Sequence, residues 1–470
     1  MGLEVHKSNY NEDDYQQFQE LWLEELSFVN ALFDTPHSFS EEKKVGYELE
    51  ACLLDSAHEP APLNFAILDD LDSDEFANEL AKYDLEINGA VFALDATTPD
   101  KLNQDLMDKW QTLQASASKF NTHLGLFGVL PNLRKEHFER ERYQSQMKRY
   151  SLFSKRIYEM RQESLDLLFH GADEIALSRN DVMSEALCTS LQIHFQIPFS
   201  QSVEYYHAAL IASVVMVGVS ANSSLVLGKR AWHESRIPIF EQAVDSRDQA
   251  RREQGDIKRV HFAQNYIDSW QELFAQNQHF RVILPDVMDH PKERLYHFNM
   301  HNGTIWRWVR PIMGKDQKGK WTLRMELRAL PAGPTLIDTE ANLWFMLGLI
   351  EALVNLNIDL TSLPFDSLKD DFYRIAKYGM DATFHEPKTH QKITLSKWLE
   401  QEGIALAKSA LERLGLENIE HYIDIIQGRL EQNGATWQLA HYEKHQNIQK
   451  LMEDYMQNFK NDTPIHRWSL

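Results

Sequence analysis

The chain has few cysteines and no excess of positive charge. Among its 470 residues only Cys52 and Cys188 are cysteines, so no disulfide framework is expected and a reducing compartment fits best. Acidic residues outnumber lysine and arginine by 70 to 48, which gives a formal net charge of −22. A general nucleic-acid binder needs a basic surface, so this charge argues against that class while leaving room for a local basic pocket.

Targeting and membrane signals are also missing. The opening segment, MGLEVHKSNYNEDDY, does not combine a basic region with an apolar region as a signal peptide does. The longest apolar run, residues 208–221, includes Ser213 and Gly218 and is too short to span a bilayer. We therefore expect a cytoplasmic protein that binds neither membrane nor nucleic acid.

The common short catalytic motifs do not occur. The sequence has no G-x-x-x-x-G-K-[ST] loop, and the nearest text, VLGKRA, lacks the first glycine and the hydroxyl residue. G-x-G-x-x-G, H-E-x-x-H, C-x-x-C and G-x-S-x-G are absent as well. Conventional phosphate loops, zinc proteases and serine hydrolases are therefore not expected.

What the sequence does contain is a set of predicted strands with charged residues inside apolar text. Side chains at i and i+2 leave a strand on the same face. The pairs and triplets that share a face in this way are Glu48 and Glu50, Glu86 and Asn88, Gln192 and His194, and Arg324, Glu326 and Arg328. For one strand alone, a solvent-facing sheet edge explains the pattern as well. Four such strands favour a shared polar face, and its oxygen and imidazole atoms suit Mg²⁺ or Mn²⁺.

The remaining pattern predicts one α+β catalytic unit over residues 1–470. We expect an N-terminal helix within 1–40, a sheet with the active site in 41–335, and a mainly helical part in 336–470. Strands are predicted at 44–55, 62–68, 83–92, 121–131 and 188–198, and a hairpin from 301–311 and 321–330. Helices are predicted at 13–33, 100–119, 137–168 and 200–227.

Several segments together resemble a known family. VGYELEACLLD resembles the first acidic strand of the carboxylate–amine ligases related to glutamate–cysteine ligase, which belong to the glutamine synthetase-like superfamily. The resemblance spans roughly 45–440, and its further segments, in order, are KYDLEIN, NTHLGLFGVLP, LQIHFQIP, VGVSANSSLVLGKRAWHESRIPIF, HNGTIWRWVRP, LRMELRALPAGPT and YRIAKYGMDA.

This resemblance implies a fold and a set of site residues. The fold is a curved, mainly antiparallel sheet that forms an active-site funnel, with a helical C-terminal third. Metal ligands for two or three Mg²⁺ or Mn²⁺ ions would be Glu48, Glu50, Glu86, Gln192 and Glu326. His194, Arg307 and Arg310 would contact the nucleotide, and Arg328 would stabilise the transferring phosphoryl group. Arg236 would hold the donor carboxylate or a phosphate, and Ser220, Asn222 and Ser223 would shape the substrate pocket.

The activity implied is an ATP-dependent ligation. ATP phosphorylates a carboxylate, for which the γ-carboxylate of L-glutamate is the best single candidate, and an amine, for which L-cysteine is the best candidate, then attacks the acyl phosphate. Such a reaction would place the enzyme in glutathione biosynthesis. The sequence departs from the family where Leu124 and Ser224 replace prolines, which leaves the acceptor amine open.

Two other functions stay open at this point. The chain could be a catalytically silent binding or regulatory member, or a metal-dependent hydrolase or kinase that uses the same site. The oligomeric state is equally open, a homo-oligomer included.

Overall fold

The structure, a computed structural model, describes residues 4–470. The strands are β1 (Lys44–Leu54), β2 (Phe76–Asn78), β3 (Asp84–Asn88), β4 (Phe92–Ala93), β5 (His123–Gly125), β6 (Leu165–His170), β7 (Glu174–Arg179), β8 (Ser190–Ile197), β9 (Leu225–Val226), β10 (Lys229–Arg230), β11 (Val260–His261), β12 (Trp306–Arg307), β13 (Val309–Lys315), β14 (Trp321–Pro331), β15 (Thr383–His385) and β16 (Lys392–Thr394).

The α-helices are α1 (Glu12–Leu32), α2 (Asn64–Leu71), α3 (Thr98–Lys119), α4 (Arg140–Tyr143), α5 (Lys148–Arg161), α6 (Ser202–Val219), α7 (Arg236–Ala243), α8 (Gln249–Glu253), α9 (Trp270–Ala275), α10 (Tyr296–Asn302), α11 (Leu336–Val354), α12 (Phe365–Tyr378), α13 (Leu395–Trp398), α14 (Ile404–Arg413), α15 (Glu420–Gly428), α16 (Gly434–His445) and α17 (Ile448–Lys460).

A curled, eight-stranded sheet forms the centre of the molecule. Its strand order is β13–β14–β8–β1–β3–β2, and the short strands β4 and β5 pair with β1. Every pairing in this sheet is antiparallel, which confirms the predicted α+β class with a curved, mainly antiparallel sheet. The helical C-terminal part is confirmed as well.

The two faces of this sheet differ in chemistry because successive side chains point to opposite sides. On β8, Leu191, Ile193 and Phe195 are fully buried on the apolar face, which packs on helices. Phe195 contacts Tyr205 of α6 edge to face, with ring centroids 5.8 Å apart. The polar residues of the same strands therefore share the other face.

β14 contains an irregularity beside the polar face. Leu327 lies opposite Ile193 of β8, but the next paired residue, Leu330, lies opposite Leu191. Three steps along β14 thus match two steps along β8, which is the signature of a β-bulge. The bulge lies between Leu327 and Leu330 and therefore contains Arg328.

Helix α6 is the apolar centre of the helical layer. The segment Phe199–Val219 has the length and hydropathy of a membrane span, but 89% of its apolar 18-residue window is buried inside the protein. It packs against α11 and α12. Such burial is the usual environment of a core helix in a globular fold.

Two predicted elements are wrong. Residues 62–68, predicted as a strand, lie largely in helix α2, where Asn64 and Ile67 are buried at helical spacing. A short apolar run does not distinguish the 3.6-residue repeat of a helix from the two-residue repeat of a strand. The predicted long helix at 137–168 is broken before α5, where the amide and the hydroxyl of Ser145 donate to backbone carbonyls of the β2–β3 connection. It ends at Gln162, whose φ of 63° closes α5.

A buried ion pair holds the elements of the helical C-terminal part together. Arg429, just after α15, places Nη2 3.0 Å from Oδ1 of Asp338 on α11, and both side chains are buried. Arg429 also donates to Asn342, and Asp338 accepts from the Ile465 amide at 3.0 Å.

Replacing Arg429 by methionine should lower the free energy of unfolding by about 3–5 kcal/mol, because Asp338 would remain buried without its counter-charge. Urea denaturation followed by circular dichroism measures this. Arg134→Met is the matched control: Arg134 pairs with Glu59 but its side chain is 50% exposed, so its loss should cost at most about 1 kcal/mol. Equal losses in the two variants would contradict the assignment.

Candidate active site

Strand register brings the predicted polar residues together on one face. Glu48 of β1 lies opposite Gln192 of β8, and Glu50 lies opposite Glu86 of β3. On the other side of β8, His194 lies opposite Glu326 of β14. Four strands that are distant in sequence thus contribute to one continuous polar surface.

Glu48, His194 and Glu326 form a first group, the histidine cluster. One potential ligand atom from each residue lies within 4.8 Å of the others. His194 Nε2 is 3.0 Å from Glu48 Oε1 and 3.8 Å from Glu326 Oε1. Burial by itself raises the pKa of Glu48, but the charge and hydrogen bond of His194 bring it to about 2. Two carboxylates and an imidazole at this spacing match the donor set of a divalent cation.

Glu50, Glu79 and Glu86 form a second group, the carboxylate cluster, again with ligand atoms within 4.8 Å of one another. Burial, and then the charge of Glu79, raise the pKa of Glu50 to about 8. Burial and the charge of Glu48 raise the pKa of Glu86 well above its ordinary value. Three carboxylates packed in this way repel one another unless protons or cations neutralise them.

The carboxylate cluster passes a direct test of fit for a cation. Glu86 is completely buried, and neither of its carboxylate oxygens has a hydrogen-bond partner among residues 4–470. A buried, unpartnered carboxylate is costly, whereas a hard divalent ion binds such oxygens directly. The residues present therefore fit Mg²⁺ or Mn²⁺.

Two arginines border the histidine cluster. Arg310 of β13 forms a fork on Glu326, with Nη2 2.6 Å from Oε1 and Nε contacting Oε2. Arg328 places Nη1 3.1 Å from Glu326 Oε2 and also donates to the Gln192 amide oxygen. Burial raises the pKa of Glu326, but Arg310, Arg328 and His194 together hold it far below its ordinary value.

A cavity of about 400 Å³ opens beside these groups. Its floor includes Glu50, Gln192 and Arg328 from the sheet. Its walls come from outside the sheet, chiefly from α5 and α10, and among the wall residues are Glu79, Arg149, Tyr150, Phe153, Glu185, Arg294, Tyr296, Asn299, Met300 and Trp306. Aromatic walls with carboxylate and guanidinium groups suit a small, charged, polar molecule.

Gln192 and His194 share the polar face, and their surroundings differ from the predicted ones. The amide oxygen of Gln192, predicted to bind metal, accepts from Arg328, and its Nε2 donates to Glu50 Oε1 at 2.9 Å. His194, predicted to contact the nucleotide, lies between the carboxylates of Glu48 and Glu326.

The side chains of Arg236 and Arg307 are buried, and each donates to at least one backbone carbonyl. Arg236 is 3% exposed, and its guanidinium donates to the carbonyls of Arg328 and Ala329 in the β14 bulge at 3.2 and 3.4 Å. Arg307 is 1% exposed and donates to the Leu273 carbonyl and Asn277, both at 3.0 Å. The structure therefore does not bring Arg307 to the polar face, and it brings Arg236 to the backbone behind that face.

The predicted pocket residues Ser220, Asn222 and Ser223 are also buried in the scaffold. Ser220 donates to the Met216 carbonyl at 2.6 Å, and Asn222 donates to the Ala332 carbonyl at 2.8 Å. Ser223 Oγ accepts from the Arg236 amide at 3.4 Å. These contacts fix the loop after α6 against the end of β14.

Sequence reasoning missed Glu79, Arg149 and Glu185. Glu79 follows the three-residue strand β2, which is too short to show an alternating pattern. Arg149 and Glu185 lie in helical segments outside the sheet, where a charged residue is ordinary. Only the tertiary arrangement brings them to the cavity.

The family model for glutamate-cysteine ligase family 2 (GCS2) matches residues 1–454. Among solved structures, the glutamate–cysteine ligase of Francisella tularensis in complex with AMP has a TM-score of 0.54 at 11% identity, with 90% of this chain and 89% of that chain covered. A bifunctional glutathione synthetase from Pasteurella multocida has a TM-score of 0.52 at 10% identity, with 90% of this chain and 52% of that longer chain covered. A search of curated proteins finds no match. At these identities, both structures support the fold.

Glu86→Gln should separate metal binding from a structural role for the carboxylate cluster. Folding raises the pKa of Glu50 from 4.5 to about 8 and that of Glu86 well above its ordinary value, so both carboxyls keep their protons at low pH and the metal-free protein loses stability as the pH rises from 4.5 towards 8. The amide variant should lose less thermal stability over this range, and Mn²⁺ should stabilise it far less than the wild type.

Glu75→Gln is the control, since Glu75 lies on the neighbouring strand connection with a side chain 58% exposed. Differential scanning calorimetry at several pH values, with and without Mn²⁺, gives both readouts. If Glu86→Gln gained as much stability from Mn²⁺ as the wild type, the carboxylate cluster would not be a metal site.

Proposed function

The chain belongs to glutamate-cysteine ligase family 2 and is an ATP-dependent ligase, and we propose that it joins the γ-carboxylate of L-glutamate to the amine of L-cysteine through an acyl phosphate. The donor and acceptor are taken from the family description and from the glutamate–cysteine ligase among the structural neighbours. The AMP held by that neighbour supports an adenine nucleotide as co-substrate.

The observation that carries this proposal is the pairing of two carboxylate-rich clusters with two arginines on one sheet face. A carboxylate substrate and a triphosphate are both anionic, so they approach each other only where positive charge offsets their repulsion. Divalent ions at the two clusters would supply this neutralisation and polarise the phosphate oxygens. Arg310 and Arg328 add fixed positive charge beside the histidine cluster.

For the metal ligands we favour Glu48, His194 and Glu326 at one site and Glu50, Glu79 and Glu86 at the other. This revises the sequence prediction in two respects: His194 takes the place of Gln192, and Glu79 is added. The amide oxygen of Gln192 is already engaged by Arg328, so its role is to orient that guanidinium.

Arg328 is the residue we assign to the transferring phosphoryl group. Its guanidinium borders the cavity and bridges Glu326 and Gln192, so it is held in place before substrate binds. A planar fork of this kind matches phosphoryl oxygens in a way that a single ammonium group does not. Arg236 supports it from behind by binding the backbone carbonyls of Arg328 and Ala329.

The cavity walls provide for the amino-acid substrates. Arg149 and Arg294 can receive α-carboxylates, and Glu185 can receive an α-ammonium group. In the reaction, a carboxylate oxygen of the donor attacks the γ-phosphorus of ATP and ADP leaves. The amine nitrogen then attacks the acyl carbon, phosphate leaves, and an amide remains.

The proposal is tested by ADP release from the full chain with ATP, Mg²⁺ or Mn²⁺, and a matrix of amino-acid donors and amines. ADP formation should require metal, L-glutamate and an amine together, and mass spectrometry should identify the γ-glutamyl amide as product. Equal ADP release with and without amine would point to a hydrolase. No ADP release with any pair would favour a silent binding protein.

Arg328→Lys and Glu326→Gln should each lower kcat by at least about 100-fold while the protein stays folded, because each alters the charged groups of the reacting centre without changing volume greatly. The control is Arg413→Lys at an exposed position on α14. Steady-state kinetics at saturating metal checks the effect. Near-normal turnover in both site variants would remove β14 from the catalytic machinery.

A further inference from the structure

A third group of metal-type side chains lies on the two C-terminal helices. His441 and His445 are one turn apart on α16, and Asp454 faces them from α17. One potential ligand atom from each lies within 4.8 Å of the others. The described residues around it belong to neither the histidine cluster nor the carboxylate cluster.

The spacing within this group explains why its members converge. Residues at i and i+4 lie on the same face of a helix, so both imidazoles point in one direction. Their ring centroids are 4.5 Å apart. His441 Nε2 is 2.8 Å from Asp454 Oδ2 across the helix pair. The geometry thus presents three donors to one point from two different helices.

One side of this site is buried in the protein, and the other is accessible to solvent. His441 is fully buried, and its Nδ1 finds no hydrogen-bond partner within residues 4–470. The Asp454 side chain is 37% exposed, so an ion can enter from solvent. Water can then complete the coordination shell on the open side.

We propose that His441, His445 and Asp454 bind a transition-metal ion of the zinc type and join α16 to α17. Two imidazoles with one carboxylate favour Zn²⁺, Co²⁺ or Ni²⁺ over Mg²⁺, which prefers oxygen ligands alone. The active-site carboxylate cluster, made of oxygens only, has the opposite preference. One chain would therefore hold two classes of metal at separate places.

The ion would stabilise buried contacts that α17 makes outside the active-site cavity. Tyr455, the residue after Asp454, donates to the Leu126 carbonyl at 2.6 Å and stacks on Phe127 with ring centroids 4.4 Å apart. Tyr455 also accepts from Asn222 at 3.0 Å, in the loop after α6. Holding α17 against α16 thus holds the segment that leads out of β5.

Lys450 pairs with the same carboxylate that would bind the metal ion. Its Nζ lies 2.8 Å from Asp454 Oδ2, and its side chain is 44% exposed. The ammonium group competes with a cation for the same carboxylate, so metal entry must turn Lys450 towards water. Removing this competitor should strengthen metal binding, whereas removing a ligand should weaken it.

The experiment uses the full chain, stripped of metal and then dialysed against Zn²⁺ in a large excess of Mg²⁺, which occupies the oxygen-only carboxylate cluster. Zinc held by the histidine cluster, which also offers an imidazole, is subtracted by comparison with Glu326→Gln. Bound zinc is measured by elemental analysis, and the visible spectrum of the Co²⁺ form reports nitrogen ligands. The variants are His445→Ala, Asp454→Asn, Lys450→Met and Glu326→Gln. His421→Ala, at an exposed histidine on α15, is the matched control.

His445→Ala and Asp454→Asn should weaken zinc binding by at least about 10-fold, because removing a ligand costs no less than removing the hydrogen-bond partner of a ligand. Lys450→Met should bind more tightly, and His421→Ala and Glu326→Gln should keep the wild-type affinity at this site. ADP release by His445→Ala should be unchanged. The proposal is overturned if His445→Ala and Asp454→Asn bind zinc as the wild type does, or if Glu326→Gln alone abolishes binding.

Discussion

The repulsion among buried carboxylates on one sheet face is the constraint that the rest of this structure accommodates. Glu48 and Glu50 lie on β1, Glu86 on β3 and Glu326 on β14, and Glu79 joins them from the end of β2. A fold that only needed stability would place apolar or protonated groups there. The two arginines and the histidine offset part of the charge, and the unpartnered oxygens of Glu86 leave a place for cations.

Packing on the opposite face of the sheet and contacts with the helices hold this carboxylate-rich face in position. Apolar residues of β8 and β14 pack on α6, and α6 in turn packs on α11 and α12. The loop after α6 is fastened to the end of β14 by Asn222, and Arg236 binds the carbonyls of the bulge. Asn222 and Arg236, which the sequence suggested as substrate contacts, thus have their hydrogen bonds directed to backbone carbonyls.

The sequence was enough to predict the polar face, because alternation within each strand is a local property. The two-residue spacing of Glu48 and Glu50, and of Glu326 and Arg328, is sufficient to assign each pair to a common face. Which strand pairs with which, and in what register, is a long-range property that no single strand carries. That is why the predicted surroundings of His194 and Gln192 differ from the observed ones, and why Glu79 was missed at the end of a three-residue strand. The wrong strand prediction at 62–68 has a related cause. A short apolar run is compatible with a helix or a strand, and only burial in the folded protein determines which one forms.

The bulge in β14 has a consequence for how sequences of this type can diverge. Because the bulge holds one residue more than the facing part of β8, a deletion between Leu327 and Leu330 would leave both flanks on their present faces. It would, however, remove or displace Arg328 and the backbone carbonyls that Arg236 binds. The turn between β13 and β14, residues 316–320, is exposed and bears no such restriction. Insertions and deletions among related sequences should therefore be common at the tip of this hairpin and rare at the bulge. A relative with a deletion at the bulge would be expected to have lost the activity.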